Sequence, residues 1–140
     1  MREPTPYLLD TNTVGYIVSG RSQAARAAMV EGIDHARITI STITEAEILY
    51  GLAKRPEATR LRAAVEALLE SVEILAWDSA AAAAYGALRA RLTATRKSLS
   101  ALDMLIAAHA VATDAILVTR DAGFAQVGFL RPVVNWATDL

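Results

Sequence analysis

Short apolar runs alternate along this chain with longer segments of helical periodicity. Tyr7-Leu8-Leu9, bounded by Pro6 and Asp10, reads as a buried strand. Helical patterning follows over 13–18 and again over 22–30, ahead of Gly32. Arg37-Ile38-Thr39-Ile40 is a second strand, rich in β-branched residues. Helical patterns over 43–53 and 57–69 are separated by Pro56, which suits a helix start. Val72-Glu73-Ile74-Leu75 is a third strand. Asp78 then N-caps a long helix in which Ala81, Tyr85, Leu88 and Leu92 share one stripe. Ser100 caps the next helix, whose stripe is Leu102, Leu105, Ile106 and His109. Ala115 to Thr119 is a fourth strand, and Arg131 to Trp136 offers a fifth. Short apolar strands alternating with helices predict an α/β fold: a central parallel sheet with helices on both faces.

Composition agrees with one packed domain over 1–140. No linker, low-complexity tract or repeat divides the 140 residues. Hydrophobic residues make up 54% and charged ones 21%, which excludes a disordered chain. Ala occurs 29 times, so helices should dominate. The longest apolar stretch, 80–88, is far short of the ~18 residues a membrane span needs. With no Cys and no signal-peptide pattern, a cytoplasmic protein is expected. Net charge is −1 with a pI near 6.1, so the whole molecule does not advertise nucleic-acid binding. Two basic clusters stand out locally: Lys54, Arg55, Arg60 and Arg62, then Arg89, Arg91, Arg96 and Lys97. Arg suits phosphate contacts, but a solvated helix face is the favoured reading of both clusters.

In open parallel sheets, ligands bind outside the carboxyl ends of the strands. Acidic residues gather there on this reading. Asp10 ends the first strand, Glu45 and Glu47 follow the second, Asp103 opens the helix before the fourth, and Asp121 follows the fourth. Each has a bland explanation. Thr44-x-x-Glu47 and Ser100-x-x-Asp103 fit capping patterns, Asp121 suits an N-cap, and Asp10 a turn. Together they are a less plausible accident. Crowded carboxylates either hold protons more tightly or attract a cation, and an oxygen-only set favours Mg²⁺ or Mn²⁺ over zinc. Such an ion at a sheet edge suits phosphoryl chemistry, with a carboxylate as general base on water. His109 reads as a core residue, His35 as a loop residue, and Trp77 and Trp136 as packing. Asn12 suits either a turn or the support of Asp10.

These residues also resemble a known family, the VapC-type PIN-domain toxins of bacterial toxin–antitoxin pairs. Leu8-Leu9-Asp10-Thr11-Asn12 is similar to its opening LLDTN. Ile40 to Gly51 is similar to S-x-I-T-x-x-E-L-x-x-G, and Ala101 to Ala110 to LD-x-LIAA-x-A. Leu117 to Phe124 resembles LVTND-x-x-F, and Val134-Asn135-Trp136 resembles a closing NW. The ordered set covers essentially the whole chain. It implies a single PIN domain over 1–140 and a Mg²⁺- or Mn²⁺-dependent endoribonuclease. It also implies a homodimer, inhibited in a hetero-oligomer by a small VapB-like antitoxin. By position the family's acids fall on Asp10, Glu47, Asp103 and Asp121, with Asp10 and Asp103 nearest the metal. Asn12 and Thr119 take its supporting positions. Glu45 and Glu47 lie about 200° apart on a helix, and the spacing to Gly51 selects Glu47. Arg120 stands where the family usually has Asn, and 96–100 replaces a stretch containing Gly and Pro. Two other readings stand beside this one. A module that binds RNA or a partner without catalysis is the first. A phosphatase using Asp10 as nucleophile is the second, disfavoured by Asn12 where a DxDxT pattern needs Asp.

Overall fold

The computed structural model describes residues 4–140. Four strands, β1 (Tyr7–Leu9), β2 (Ile38–Ser41), β3 (Glu73–Leu75) and β4 (Ile116–Val118), form one sheet in the order β3-β2-β1-β4. Every pairing is parallel, with Tyr7 opposite Ile38 and Leu9 opposite Val118. Six helices connect them: α1 (Thr11–Ser19), α2 (Gln23–Gly32), α3 (Thr42–Ala53), α4 (Thr59–Ser71), α5 (Ser79–Ala94) and α6 (Ala101–Thr113). A short 3₁₀ turn, Ala122–Gln126, follows β4.

The two-residue period of the strands sorts the core into two layers. Leu8 and Leu117 face one side, where they pack with Leu88 and Leu92 of α5, Ile106 and Ala107 of α6, and Phe124. Leu9, Ile40 and Val118 face the other, against Val14 and Ile17 of α1, Met29 of α2 and Leu68 of α4. Helices therefore cover both faces, as the apolar strands predict. Leu8 and Leu117 have no exposed surface, so truncating either to Ala costs about 2–5 kcal/mol. Among the described residues no helix is long and apolar enough to cross a membrane.

Three local expectations need correction. The fifth strand shrinks to a single parallel bridge between Val118 and Val134. Pro132 has no N–H to offer a ladder, and the Asn135 side chain takes the Ala137 N–H at 2.9 Å, turning the chain away after two backbone bonds. The helix expected from 57 begins at Thr59, with Pro56 in the preceding turn and Ala58 as an N-cap lacking a side-chain bond. The first helix starts two residues early, at Thr11, because Asp10 caps it.

Candidate active site

Strand β1 is where the sheet order reverses, with β2 on one side and β4 on the other. Loops diverge at such a point and leave a crevice beyond the strand ends. The Asp10 N–H donates to the Val118 carbonyl at 3.1 Å, so Asp10 and Thr119 leave their strands side by side. The Thr119 hydroxyl donates to one Asp10 carboxylate oxygen at 2.6 Å. The other oxygen accepts the Thr13 N–H at 2.8 Å, which caps α1. Thr119 Oγ1 in turn accepts the Asp121 N–H at 3.0 Å. Asp10 is only 5% exposed. A carboxylate so buried requires partners on both oxygens, and these supply them. Asp121 is exposed, and one oxygen accepts the Gly123 N–H at 2.8 Å as the cap of the 3₁₀ turn. Capping thus holds for Asp10 and Asp121, yet it also fixes them around one hydroxyl.

Asp103 comes from the opposite side, in the first turn of α6. Its N–H donates to Ser100 Oγ at 3.2 Å, the capping contact its spacing predicts. Burial pushes the Asp103 carboxyl pKa above the usual range. The Ser100 side chain pulls it down, and the negative charges of Asp121 and Asp10 push it further up. Asp10 and Asp121 thus lie near enough for their charges to act on Asp103.

Glu47 is exposed on α3 and takes no part in that coupling. Its direction still distinguishes it from Glu45. Thr44 is fully buried and its hydroxyl meets that of Thr11 at 3.1 Å, which turns this face of α3 towards the end of β1. At about 100° per residue, Glu47 falls between Ile43, which packs on the layer containing α6, and Thr44. Glu45 lies on the other flank, beside Leu52. Glu47 thus occupies the α6 side of the helix.

A cavity of about 320 Å³ is lined by Asp10, Asn12, Tyr16, Arg120, Asp121 and Ala122. Asn12 and Tyr16 also line a groove of about 420 Å³ between α1 and α3, whose basic members are Arg21, Lys54 and Arg55. Tyr16 was not a sequence candidate. Its signal is its spacing, four residues after Asn12 on the same helix face. The Arg21 guanidinium lies over the Tyr16 ring, 5.2 Å from its centroid.

Among the described residues, no three Asp, Glu or His side chains close into a metal cage. Mg²⁺ seldom uses one, since it keeps several waters and takes one or two protein carboxylates. The donors present are carboxylate oxygens with repulsion between them, which fits that partial coordination. The remaining candidates serve the frame. His109 is buried, and burial holds its imidazole pKa down against the nearby Asp78 charge and the Ala76 carbonyl. His35 is exposed in a turn. Trp77 stacks edge-on against Tyr85 and donates its indole N–H to the Leu105 carbonyl, while Trp136 packs on Tyr7.

A parallel α/β domain with acids gathered at its topological switch point has known counterparts. The PIN domain family model matches residues 7–130. Ribonuclease VapC2 of Haemophilus influenzae is 33% identical over 131 residues, covering 93% of this chain and 97% of that protein. The tRNA(fMet)-specific endonuclease VapC of Shigella flexneri is 29% identical over 126 residues, covering 89% and 94%. Among solved structures, VapBC2 of Rickettsia felis bound to a promoter DNA fragment matches with a TM-score of 0.87 and 28% identity. It covers 94% of this chain and 99% of the matched one. DNA-bound VapBC of Salmonella typhimurium matches with a TM-score of 0.85 and 28% identity, covering 94% and 98%. The chain belongs to the PIN-domain family and, within it, to the VapC type.

Proposed function

We propose that this chain is the ribonuclease toxin of a toxin–antitoxin pair and hydrolyses RNA phosphodiester bonds with the help of Mg²⁺ or Mn²⁺. The observation that carries this reading is the Asp10–Thr119–Asp121 cluster at the sheet switch point, whose charges act on Asp103. Relatives named as ribonucleases and neighbours solved as VapBC complexes support it.

Asp10 and Asp103 would hold the ion, with Glu47 and Asp121 at its margin. When bound, the ion would neutralise charge on phosphate oxygens and make water more acidic. The residues of the chain do the positioning. Thr119 and the Thr13 N–H fix both Asp10 oxygens, so this carboxylate cannot rotate away. Without the ion, burial and the charges of Asp121 and Asp10 make the ionised form of Asp103 unfavourable, and a bound cation would offset that cost.

The partner is a small antitoxin. An acidic pocket attracts a cationic side chain, so an inserted Arg or Lys would block it as well as shape would. Its tail would fold onto the toxin from a disordered state. Expression of this chain alone should arrest growth and cut cellular RNA. Co-expression with the small protein of the neighbouring reading frame should relieve both. Growth arrest without RNA cleavage would instead favour a module that binds without catalysis.

A further inference from the structure

Arg120 is the one cation in the wall of the acidic cavity. It is exposed, and it pairs with no carboxylate among the described residues. The nearby acids are held by other groups: both Asp10 oxygens accept bonds from Thr13 and Thr119, and one Asp121 oxygen accepts the Gly123 N–H. The backbone around Arg120 is also fixed. The Thr119 N–H donates to the Val134 carbonyl at 2.9 Å, and the Asp121 N–H to the Thr119 hydroxyl at 3.0 Å. A guanidinium with five donors and no partner therefore hangs from a rigid support beside the acids.

From this geometry we infer that Arg120 is a substrate-binding residue, a clamp for an RNA phosphate at the mouth of the acidic centre. The inference rests on the ribonuclease reading and adds the group that receives the strand. A planar fork donates two parallel bonds to the non-bridging oxygens of one phosphate. A phosphodiester carries a single negative charge, whereas a phosphomonoester carries about −1.5 to −2. Asp10 and Asp121 in the same wall repel the more highly charged ion more strongly, so the cavity favours a strand over free phosphate. Its volume of about 320 Å³, with Asn12 and Tyr16 in the wall, also exceeds what a lone phosphate fills.

The competing role for Arg120 is to neutralise Asp121. Two measurements on purified wild type, Arg120→Ala and Arg120→Lys separate the roles. The first is binding of a labelled single-stranded RNA in EDTA across a salt series, repeated with excess inorganic phosphate. The second is Mn²⁺ affinity without RNA. The clamp predicts that Arg120→Ala weakens RNA binding roughly tenfold and flattens the slope of log affinity against log salt by about 0.7. Arg120→Lys should keep the slope but recover only part of the affinity, and phosphate should not displace the strand. If Arg120→Ala binds RNA as wild type does and only Mn²⁺ affinity rises, Arg120 is a charge partner and the clamp is wrong. Displacement by phosphate at ordinary concentrations also overturns it. Wild type that cuts RNA while Arg120→Ala binds it unchanged defeats the clamp alone. Wild type that neither binds nor cuts RNA defeats the ribonuclease reading too.

Discussion

Asp10 and Asp103 are both carboxylates at the start of a helix, yet the fold treats them differently. Asp10 sits at the end of a central strand, 5% exposed, with each oxygen held by a donor. Asp103 sits in the first turn of α6, half-buried, with Ser100 as its partner and the charges of Asp121 and Asp10 against it. Sheet pairing fixes the first to its neighbour Thr119; only the packing of α6 on the sheet brings up the second. One acid is built into the frame, and the other is delivered to it. The frame acid therefore joins stability to function, whereas the delivered acid sets them against each other.

Substitution of Asp10 should have the largest effect. Asp10→Asn keeps an acceptor for the Thr13 N–H but presents an NH₂ to the Thr119 hydroxyl. RNA cleavage should fall at least roughly hundredfold, and stability in EDTA by about 1–3 kcal/mol. A variant as stable as wild type would break the contrast at its stronger end.

Glu47→Gln should come next, with most RNA cleavage and growth inhibition lost while Glu45→Gln keeps both. The reverse outcome would mean that α3 presents its other flank to the acids.

Asp103→Asn sharpens the comparison from the opposite side. Its raised carboxyl pKa means that the folded state holds this proton more tightly than the unfolded chain does. Its contribution to stability is thus present below the unfolded value of 3.8 and is lost as pH rises through the folded value. At neutral pH the charged form is a burden, so Asp103→Asn should melt in EDTA at the wild-type temperature or higher. Its Mn²⁺-induced rise should be smaller than wild type's, because a ligand stabilises only as far as it binds the folded state. A lower melting temperature with an undiminished Mn²⁺ rise would make Asp103 a cap and nothing more.

The smallest effect belongs to His109, away from the acids. Burial lowers its pKa from 6.5, so its contribution to stability is present above 6.5 and lost as pH falls through the folded value. Asp78 and the Ala76 carbonyl face the ring and moderate the loss. His109→Gln should flatten the decline in melting temperature between about pH 7 and pH 5. An unchanged decline would assign the acid sensitivity elsewhere.

Much of this was legible in the residues. Short runs of three to five residues at 7–9, 37–40, 72–75 and 115–119 found all four strands; β1, β2 and β4 are largely buried on both faces and leave no polar alternation to confuse the reading, whereas β3 carries the exposed Glu73. Capping residues at Asp78 and Ser100 located two helices, because their side chains do take the N–H three residues on. The misses are non-local. Nothing in 131–136 reveals that one bridge forms where a strand is expected. Pro56 is as compatible with a turn as with a first helical position. The double bonding of Asp10 depends on Thr119, 109 residues away, so its burial could not be read from its own neighbours. Of the expected acids, three converge through charge, while Glu47 is placed only by the orientation of α3.

The central claim is that frame and delivered acids form one metal-dependent nuclease centre. RNA cleavage measured against Mn²⁺ concentration, for wild type and Asp103→Asn, tests it most directly. The account predicts no cleavage by wild type in EDTA and a saturable rise with Mn²⁺. For the variant it predicts a curve displaced to higher Mn²⁺ by roughly tenfold or more, with a lower plateau. Cleavage that persists in EDTA, or superimposable curves for the two proteins, would contradict it.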